Sequence, residues 1–394
     1  VPIDVEAERA LTPACRRGTY LNHAGASPSP DPVTDAVVAH LRREAEVGGY
    51  TAAAEVAERI EAIYDSVARL VGGSRDEIAL LESATAAWDA VVLAMRVEPG
   101  DRILCSRAEY VSNAIALLQL AGRTGATVEV VDDDEHGQLS VDALRATLDE
   151  RVALVAVTHV PTSGGLVNPA EEIGTVTREA GIPFVLDACQ SAGQLDLDVG
   201  RLGCDVLTST GRKFLRGPRG TGFAWVRREL LDRLEPLGLD SRSATWTGPT
   251  SYEVRCDARR FERWEHSVAA RLGLGAAVDH SLALGLPDIE RRVVELADHL
   301  RAGLASIPGV EVHDLGLRRC GIVTFTVEGR TAEDVRRALA DRGVTVWVSG
   351  AEHARLDLGE RGLTQVVRAS VHYVNTADEL DRTIELVSGT SRSA

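Results

Sequence analysis

Among the 43 basic residues of the chain there is one lysine, Lys213; every other is arginine. Arginine stays protonated in proteins, whereas a lysine amine can be desolvated into a neutral nucleophile. The lone exception points to amine chemistry, namely attack on a carbonyl and movement of a proton. An Arg- and Ala-rich coding bias explains the count equally well, so the neighbours of Lys213 decide.

Lys213 closes the run Leu207-Thr208-Ser209-Thr210-Gly211-Arg212-Lys213, and Gly217-Pro218-Arg219-Gly220-Thr221-Gly222 follows. Hydroxyl and guanidinium beside the amine, at Thr210 and Arg212, suit a phosphate anchor next to an aldehyde. The glycines let the backbone turn sharply into the next strand. About twenty residues upstream lies Phe184-Val185-Leu186-Asp187-Ala188-Cys189-Gln190-Ser191-Ala192-Gly193. It reads as a buried strand ending in a carboxylate, with an amide three residues on. Asp187 can keep a pyridine nitrogen protonated and the ring electron-poor, and Gln190 can donate to a phenolic oxygen of that ring. Taken alone, Asp187 serves equally as the cap of a following helix.

These segments need a scaffold, and the hydrophobic pattern supplies one. Short apolar runs at Arg102–Cys105, Thr127–Val131, Ala153–Thr158, Pro183–Leu186, Asp205–Leu207 and Gly222–Val226 predict strands. Helical periodicity lies between most of them, at Ala84–Met95, Val111–Arg123, Val141–Leu148 and Ala170–Ala180. Continuous apolar strands separated by helices imply an α/β fold with a mostly parallel sheet covered on both faces. Ligands in such folds sit at the carboxyl ends of the strands. Pro32–Arg43 and Ala52–Leu70 predict two amphipathic helices ahead of the sheet. Beyond a polar, aromatic stretch near Asp240–Arg263, a long helical pattern from Glu265 to Ile307 breaks near Gly285–Pro287. A β-α-β-α pattern then reaches the end. We expect a large domain over residues 1–264, including an N-terminal arm, and a smaller C-terminal α/β domain over 265–394.

The ordered motifs Asp-x-x-Gln, Thr-Gly-x-Lys and Gly-Pro-x-Gly-x-Gly resemble the class V aminotransferase family, and the resemblance runs from about Tyr20 to Leu386, nearly the whole chain. Its cysteine desulfurase-like branch is the nearest. The resemblance implies the aspartate-aminotransferase fold, pyridoxal 5′-phosphate (PLP) as cofactor, and Lys213 as its Schiff-base residue. It also assigns roles residue by residue. Ser83, Ala84 and Thr85 open a helix where the family holds the cofactor phosphate, although the segment alone reads as an ordinary N-cap. Tyr110, in Glu109-Tyr110-Val111-Ser112-Asn113, takes the place of the histidine stacked on the pyridine ring, or is simply a core tyrosine. Thr162 takes the place of an asparagine on the phenolic side of the cofactor. His159 nearby reads as a core histidine. Arg368 matches the arginine that grips the substrate α-carboxylate, set against the alternative of a surface arginine. Thr247 lies in the segment with which family members reach the neighbouring subunit's phosphate site, which implies a homodimer with shared active sites.

One departure bears on the reaction. The desulfurases carry a nucleophilic cysteine in a loop before the arginine strand, and here Ser349–Gln365 contains none. We therefore expect a PLP-dependent carbon–sulfur lyase: β-elimination from a cysteine-derived amino acid without a persulfide-forming cysteine. Aminotransferase, epimerase and decarboxylating deaminase are the alternatives. Lys213, Asp187 and Tyr110 are the expected catalytic residues.

Composition narrows the field. A net charge of −16 opposes binding to a phosphate backbone. The six cysteines form no CxxC pair, so no metal site is expected and they read as buried thiols. No apolar run is long enough to span a bilayer, and no leader pattern opens the sequence. The expectation is a cytoplasmic protein acting on a small amino acid, with no nucleic-acid or membrane partner.

Overall fold

The computed structural model of the chain describes residues 3–391. A seven-stranded sheet forms its centre. The strands are β1 (Ile78–Leu81), β2 (Arg102–Cys105), β3 (Thr127–Val130), β4 (Val152–Thr158), β5 (Phe184–Asp187), β6 (Val206–Thr210) and β7 (Gly222–Val226). Their spatial order is β1-β7-β6-β5-β4-β2-β3. All run the same way except β7, which is antiparallel to both its neighbours.

Side-chain alternation buries this sheet on both faces. Ile78, Leu80, Leu104, Val155, Phe184, Leu186 and Leu207 enter one apolar cluster. Ala79, Ile103, Leu154, Val185, Val206 and Ala224 enter the other. That is why the strands read as unbroken apolar runs. Each large side chain so buried contributes about 1.5–3 kcal/mol. The helices that cover the faces are delimited by local chemistry. Ser83 caps the helix Ala84–Val92 by accepting from the Ala86 N–H, and the helix turns Trp88 and Val91 inward. The helix Val111–Thr124 stops at Gly125, which adopts a left-handed φ of 81°.

A second, four-stranded antiparallel sheet comprises β8 (Val310–Val312), β9 (Ile322–Val327), β10 (Trp347–Gly350) and β11 (Gln365–Ser370), in the order β8-β9-β11-β10. The N-terminal segment crosses to this sheet: Thr19–Tyr20 pairs with Val344–Thr345, and Asn22 bridges Ser370. Residues 19–28 therefore lie where the two sheets meet.

The predicted helices and strands are present, with shifted ends. The pattern over Ala52–Leu70 divides into Gly49–Glu55 and Ala57–Val71, and the long pattern divides at Gly285 into Val268–Leu284 and Leu286–Ala305. The aromatic stretch is a β-hairpin, Ala244–Gly248 with Ser251–Val254. The expectation of buried thiols holds for Cys105, Cys204 and Cys320 only. Cys15 and Cys189 are half-buried, and Cys256, just beyond the largely exposed second strand of that hairpin, is exposed. Among the described residues no helix is long and apolar enough to cross a membrane.

Candidate active site

The carboxyl ends of β1, β2, β4, β5 and β6 share one edge of the sheet, and the predicted site residues gather there. Asp187 ends β5 and stands opposite Thr158, which ends β4, and Thr208 on β6. Lys213 follows β6 by three residues and is buried. Two glycines make this convergence possible. A Cβ on Gly193 would overlap the backbone of Phe214, so the turn after Asp187 can lie directly on the lysine loop. A Cβ on Gly222 would overlap Ser83, so β7 can start against the helix that begins at Ala84.

The Asp187 carboxylate is held at both oxygens. Oδ1 accepts from the Cys189 N–H at 2.8 Å and Oδ2 from Asn113 Nδ2 at 2.7 Å. Burial pushes its pKa up, and the Lys213 ammonium and these hydrogen bonds oppose the rise. The reading of Asp187 as a helix cap does not hold, since no helix starts there and the carboxylate turns into the site. The centroid of the Tyr110 ring lies 5.8 Å from Lys213 Nζ. Tyr110 is half-buried at the start of the helix Val111–Thr124, so it is no core tyrosine.

On the opposite side Gln190, Thr162 and Arg368 form one network. Gln190 Nε2 donates to Thr162 Oγ1 at 3.2 Å and to the Ala24 carbonyl at 3.1 Å. Arg368 Nη1 donates to the same Thr162 hydroxyl at 2.9 Å, and Nη2 donates to Asn22 Oδ1 at 3.0 Å. Arg368 is 4% exposed, so it is no surface arginine. Burial, with Arg212 nearby, brings its pKa down to about 10, which leaves it charged at neutral pH. Arg212 donates to the Gly25 carbonyl, and Thr210 Oγ1 donates to the Thr221 carbonyl at 3.0 Å. Ser83 is occupied as the N-cap, and the N–H groups of Ala84 and Thr85 belong to the first turn of that helix.

Three buried polar atoms here have no partner among the described residues: Gln190 Oε1, Arg368 Nε and Thr208 Oγ1. A buried unpaired polar atom costs about 1–3 kcal/mol, which marks the place as built for something else. A phosphate at the helix start, a carboxylate at Arg368 and a polar ring between Tyr110 and Asp187 match the donors present.

Thr247 is not brought to this cluster. It sits in the exposed hairpin, bonded to Ser251 Oγ at 3.1 Å, beside Trp246, which is 80% exposed. His159 is a core histidine, as expected: it is buried, and its Nδ1 pairs with Ser191 Oγ at 2.8 Å. Asn22, Ala24 and Gly25 lie in Leu21–Ser29, a loop expected from the sequence to help read the substrate side chain, but no motif singles them out within it. Asn113 was legible only as the last residue of the segment that carries Tyr110. Cys189 stands beside Lys213 and Asp187 on the turn after β5. The segment without a cysteine, between β10 and β11, forms two short helical turns, Ala351–His353 and Arg355–Gly359. Ala354 and Leu358 anchor it against Val366. Among the described residues no group of three or more His, Cys, Asp and Glu side chains could hold a metal ion.

The family model described as aminotransferase class-V matches residues 19–383. A protein of Methanothermobacter thermautotrophicus named "Probable cysteine desulfurase" is 30% identical over 396 residues, covering 98% of each chain. The apo structure of a cysteine desulfurase from Thermococcus onnurineus superposes with a TM-score of 0.91 at 25% identity, covering 99% of this chain and 98% of that one. The cystine C-S lyase C-DES, solved with its product cysteine persulfide, superposes with a TM-score of 0.86 at 22% identity, covering 96% and 99%. At that identity the last likeness concerns the fold.

Proposed function

Because the chain belongs to the aminotransferase class-V family, we propose that it is a PLP-dependent carbon–sulfur lyase that eliminates the β-substituent of a cysteine-derived amino acid. Family membership makes it a PLP enzyme. The observation that carries the reaction type is the segment between β10 and β11. It contains no cysteine and is anchored by Leu358, so no thiol is offered there to take up sulfur. A lyase whose leaving group departs freely needs none.

Lys213 would hold the cofactor through its aldehyde. Thr210, Arg212 and the helix start at Ser83, Ala84 and Thr85 would hold its phosphate, while Tyr110 covers the ring and Gln190 and Thr162 meet its phenolic oxygen. When bound, PLP supplies an aldehyde that condenses with amines and a ring that accepts an electron pair from the adjoining carbon. Asp187 would keep a proton at the ring nitrogen. Arg368 grips the α-carboxylate through its fork of N–H groups and so orients the α-carbon. The Lys213 amine would take the α-proton as general base. Loss of the β-substituent together with that proton would leave 2-aminoacrylate, which water converts to pyruvate and ammonia. Tyr110 stacks as the desulfurase histidine does but offers no imidazole for proton transfer, which suits a reaction without a sulfur-acceptor step. The exposed Trp246 and Thr247 hairpin supports a homodimer in which each subunit completes the other's phosphate site.

The test mixes PLP-loaded protein with cysteine, S-substituted cysteines, their sulfoxides, alanine and glutamate. Pyruvate and ammonia, with the original cofactor spectrum restored, are the expected products. Conversion of the cofactor to its amine form, with a keto acid matching the donor, would make the protein an aminotransferase instead.

A further inference from the structure

Behind Asp187 lies a second buried carboxyl group, Glu109, which the proposed mechanism does not use. Glu109 is 5% exposed. Its Oε1 accepts from the Tyr110 N–H at 2.9 Å, from Asn113 Nδ2 at 3.0 Å and from the Thr158 hydroxyl. Oε2 lies 3.4 Å from Ser106 Oγ. The same Asn113 nitrogen donates to Asp187 Oδ2 at 2.7 Å. One amide therefore bridges two carboxyl groups, with one hydrogen directed to each.

We propose that Glu109 is a positioning residue for Asp187: by accepting from Asn113 it fixes that side chain with its NH₂, rather than its carbonyl, against the Asp187 carboxylate. An asparagine amide can rotate by half a turn with almost no change of shape, so its orientation is set by its partners. Rotation here would place Asn113 Oδ1 against both Glu109 Oε1 and Asp187 Oδ2, oxygen against oxygen, in a site from which water is excluded. With Glu109 in place the donor orientation satisfies both carboxyl groups. Without that acceptor only the Asp187 carboxylate and the Thr158 hydroxyl, 3.5 Å from Asn113 Nδ2, oppose the rotation, and the hydrogen bond that favours the charged form of Asp187 weakens. Glu109 is itself secured from two other elements. Thr158 reaches it from the end of β4, and the Tyr110 N–H reaches it from the start of the helix. The same three residues thus align the ring-covering Tyr110 and the ring-facing Asp187.

The inference rests on Asp187 facing a cofactor ring, but its test is independent of loading. Glu109→Gln and Glu109→Met both remove the charge and keep the length of the side chain, and only glutamine keeps the acceptor. The carboxyl titration of Asp187, followed by carbon NMR in the unloaded full-length protein, separates them. We expect an acid-dissociation constant about ten-fold smaller in Glu109→Met than in Glu109→Gln, the value of roughly one charge-assisted hydrogen bond. Asn113→Ala, which deletes the bridge from its other end, should lower the constant by a similar factor relative to the parent and stands in if Glu109→Met does not fold. Equal constants in the two Glu109 variants, or no change in Asn113→Ala, overturn the proposal even if both changes lower the melting temperature. Adding PLP to the same samples tests the functional reading separately. A parent protein that takes up no PLP would sink that reading and leave the Asp187 result standing.

Discussion

Asp187 and Lys213 emerge from neighbouring parallel strands, Asp187 directly opposite Thr208 and Lys213 five residues beyond it. Parallel pairing sends both chains off the same edge of the sheet, so a carboxylate and an amine separated by 26 positions enter one pocket. The close contact of Gly193 with Phe214 then fixes the two loops against each other. A group held between them would meet the amine at one end and the carboxylate at the other, as the proposed cofactor requires.

Lys213→Ala should abolish turnover, with a loss of at least about three orders of magnitude, the scale of removing both the covalent anchor and a general base. Because Lys213 is the only lysine, the prediction has a structural readout. Borohydride reduction of the loaded protein should fix the cofactor on the peptide that contains Lys213. Cofactor fixed on any other peptide, or a variant that turns over at the parent rate, rules out the assignment.

Arg368→Ala should raise KM for α-carboxylate substrates by roughly 10- to 100-fold, the value of hydrogen bonds between charged partners. Substrate analogues that lack the carboxylate should bind the variant and the parent alike. The guanidinium also ties Thr162 and Asn22 together, so Arg368→Lys should recover only part of the affinity. Unchanged KM in Arg368→Ala would place the carboxylate clamp elsewhere.

The parts of this site that were legible in the sequence are those carried on strand ends. Asp187, Gln190 and Lys213 each follow an unbroken apolar run, and a parallel sheet can send such ends only to one edge. Strand β1 was not foreseen: it pairs only with the antiparallel β7, far along the chain, so it lies outside the strand–helix alternation that marked the others. The loop Leu21–Ser29 was legible as one that reads substrate, but the individual contributions of Asn22, Ala24 and Gly25 were not. They depend on the N-terminal segment crossing to Ser370, a contact nearly 350 positions away that no local pattern encodes. The hairpin at Ala244–Val254 escaped because both of its strands are largely exposed, which removes the apolar alternation that marks a strand.

Leu358→Ala should destabilise the protein by about 2–5 kcal/mol, since the side chain is fully buried beneath the segment between β10 and β11. Chemical denaturation measures the cost. Hydrogen exchange should rise first in residues 351–363, because the cluster of Ala354, Leu358 and Val366 is small and local. The ion pair between Arg107 and Glu360 spans from the large sheet to the same segment but is partly exposed. Arg107→Ala should therefore cost under about 1 kcal/mol. If the two substitutions have equal effects, the anchoring of this segment is electrostatic rather than apolar.

Protonation of buried histidines should make the protein acid-labile in a definite window. Burial, with Arg318 nearby, brings His159 down from 6.5 to about 3, and burial with Arg216 does the same for His23. Each ring is thus neutral in the folded chain and charged in the unfolded chain between those limits. The unfolded state then binds more protons, so stability rises with pH across the window and is lost as pH falls through 6.5 toward 3. One such group contributes a slope of about 1.4 kcal/mol per pH unit. Glu109 acts in the opposite sense: burial raises it from 4.5 to about 7, so its contribution is lost as pH rises through that range. Total stability mixes the two, and the difference between parent and His159→Gln separates them. Urea denaturation from pH 4 to 7 should show the parent losing stability relative to His159→Gln by about one proton's slope as pH falls. Parallel curves for the two proteins would mean that His159 takes up its proton without unfolding.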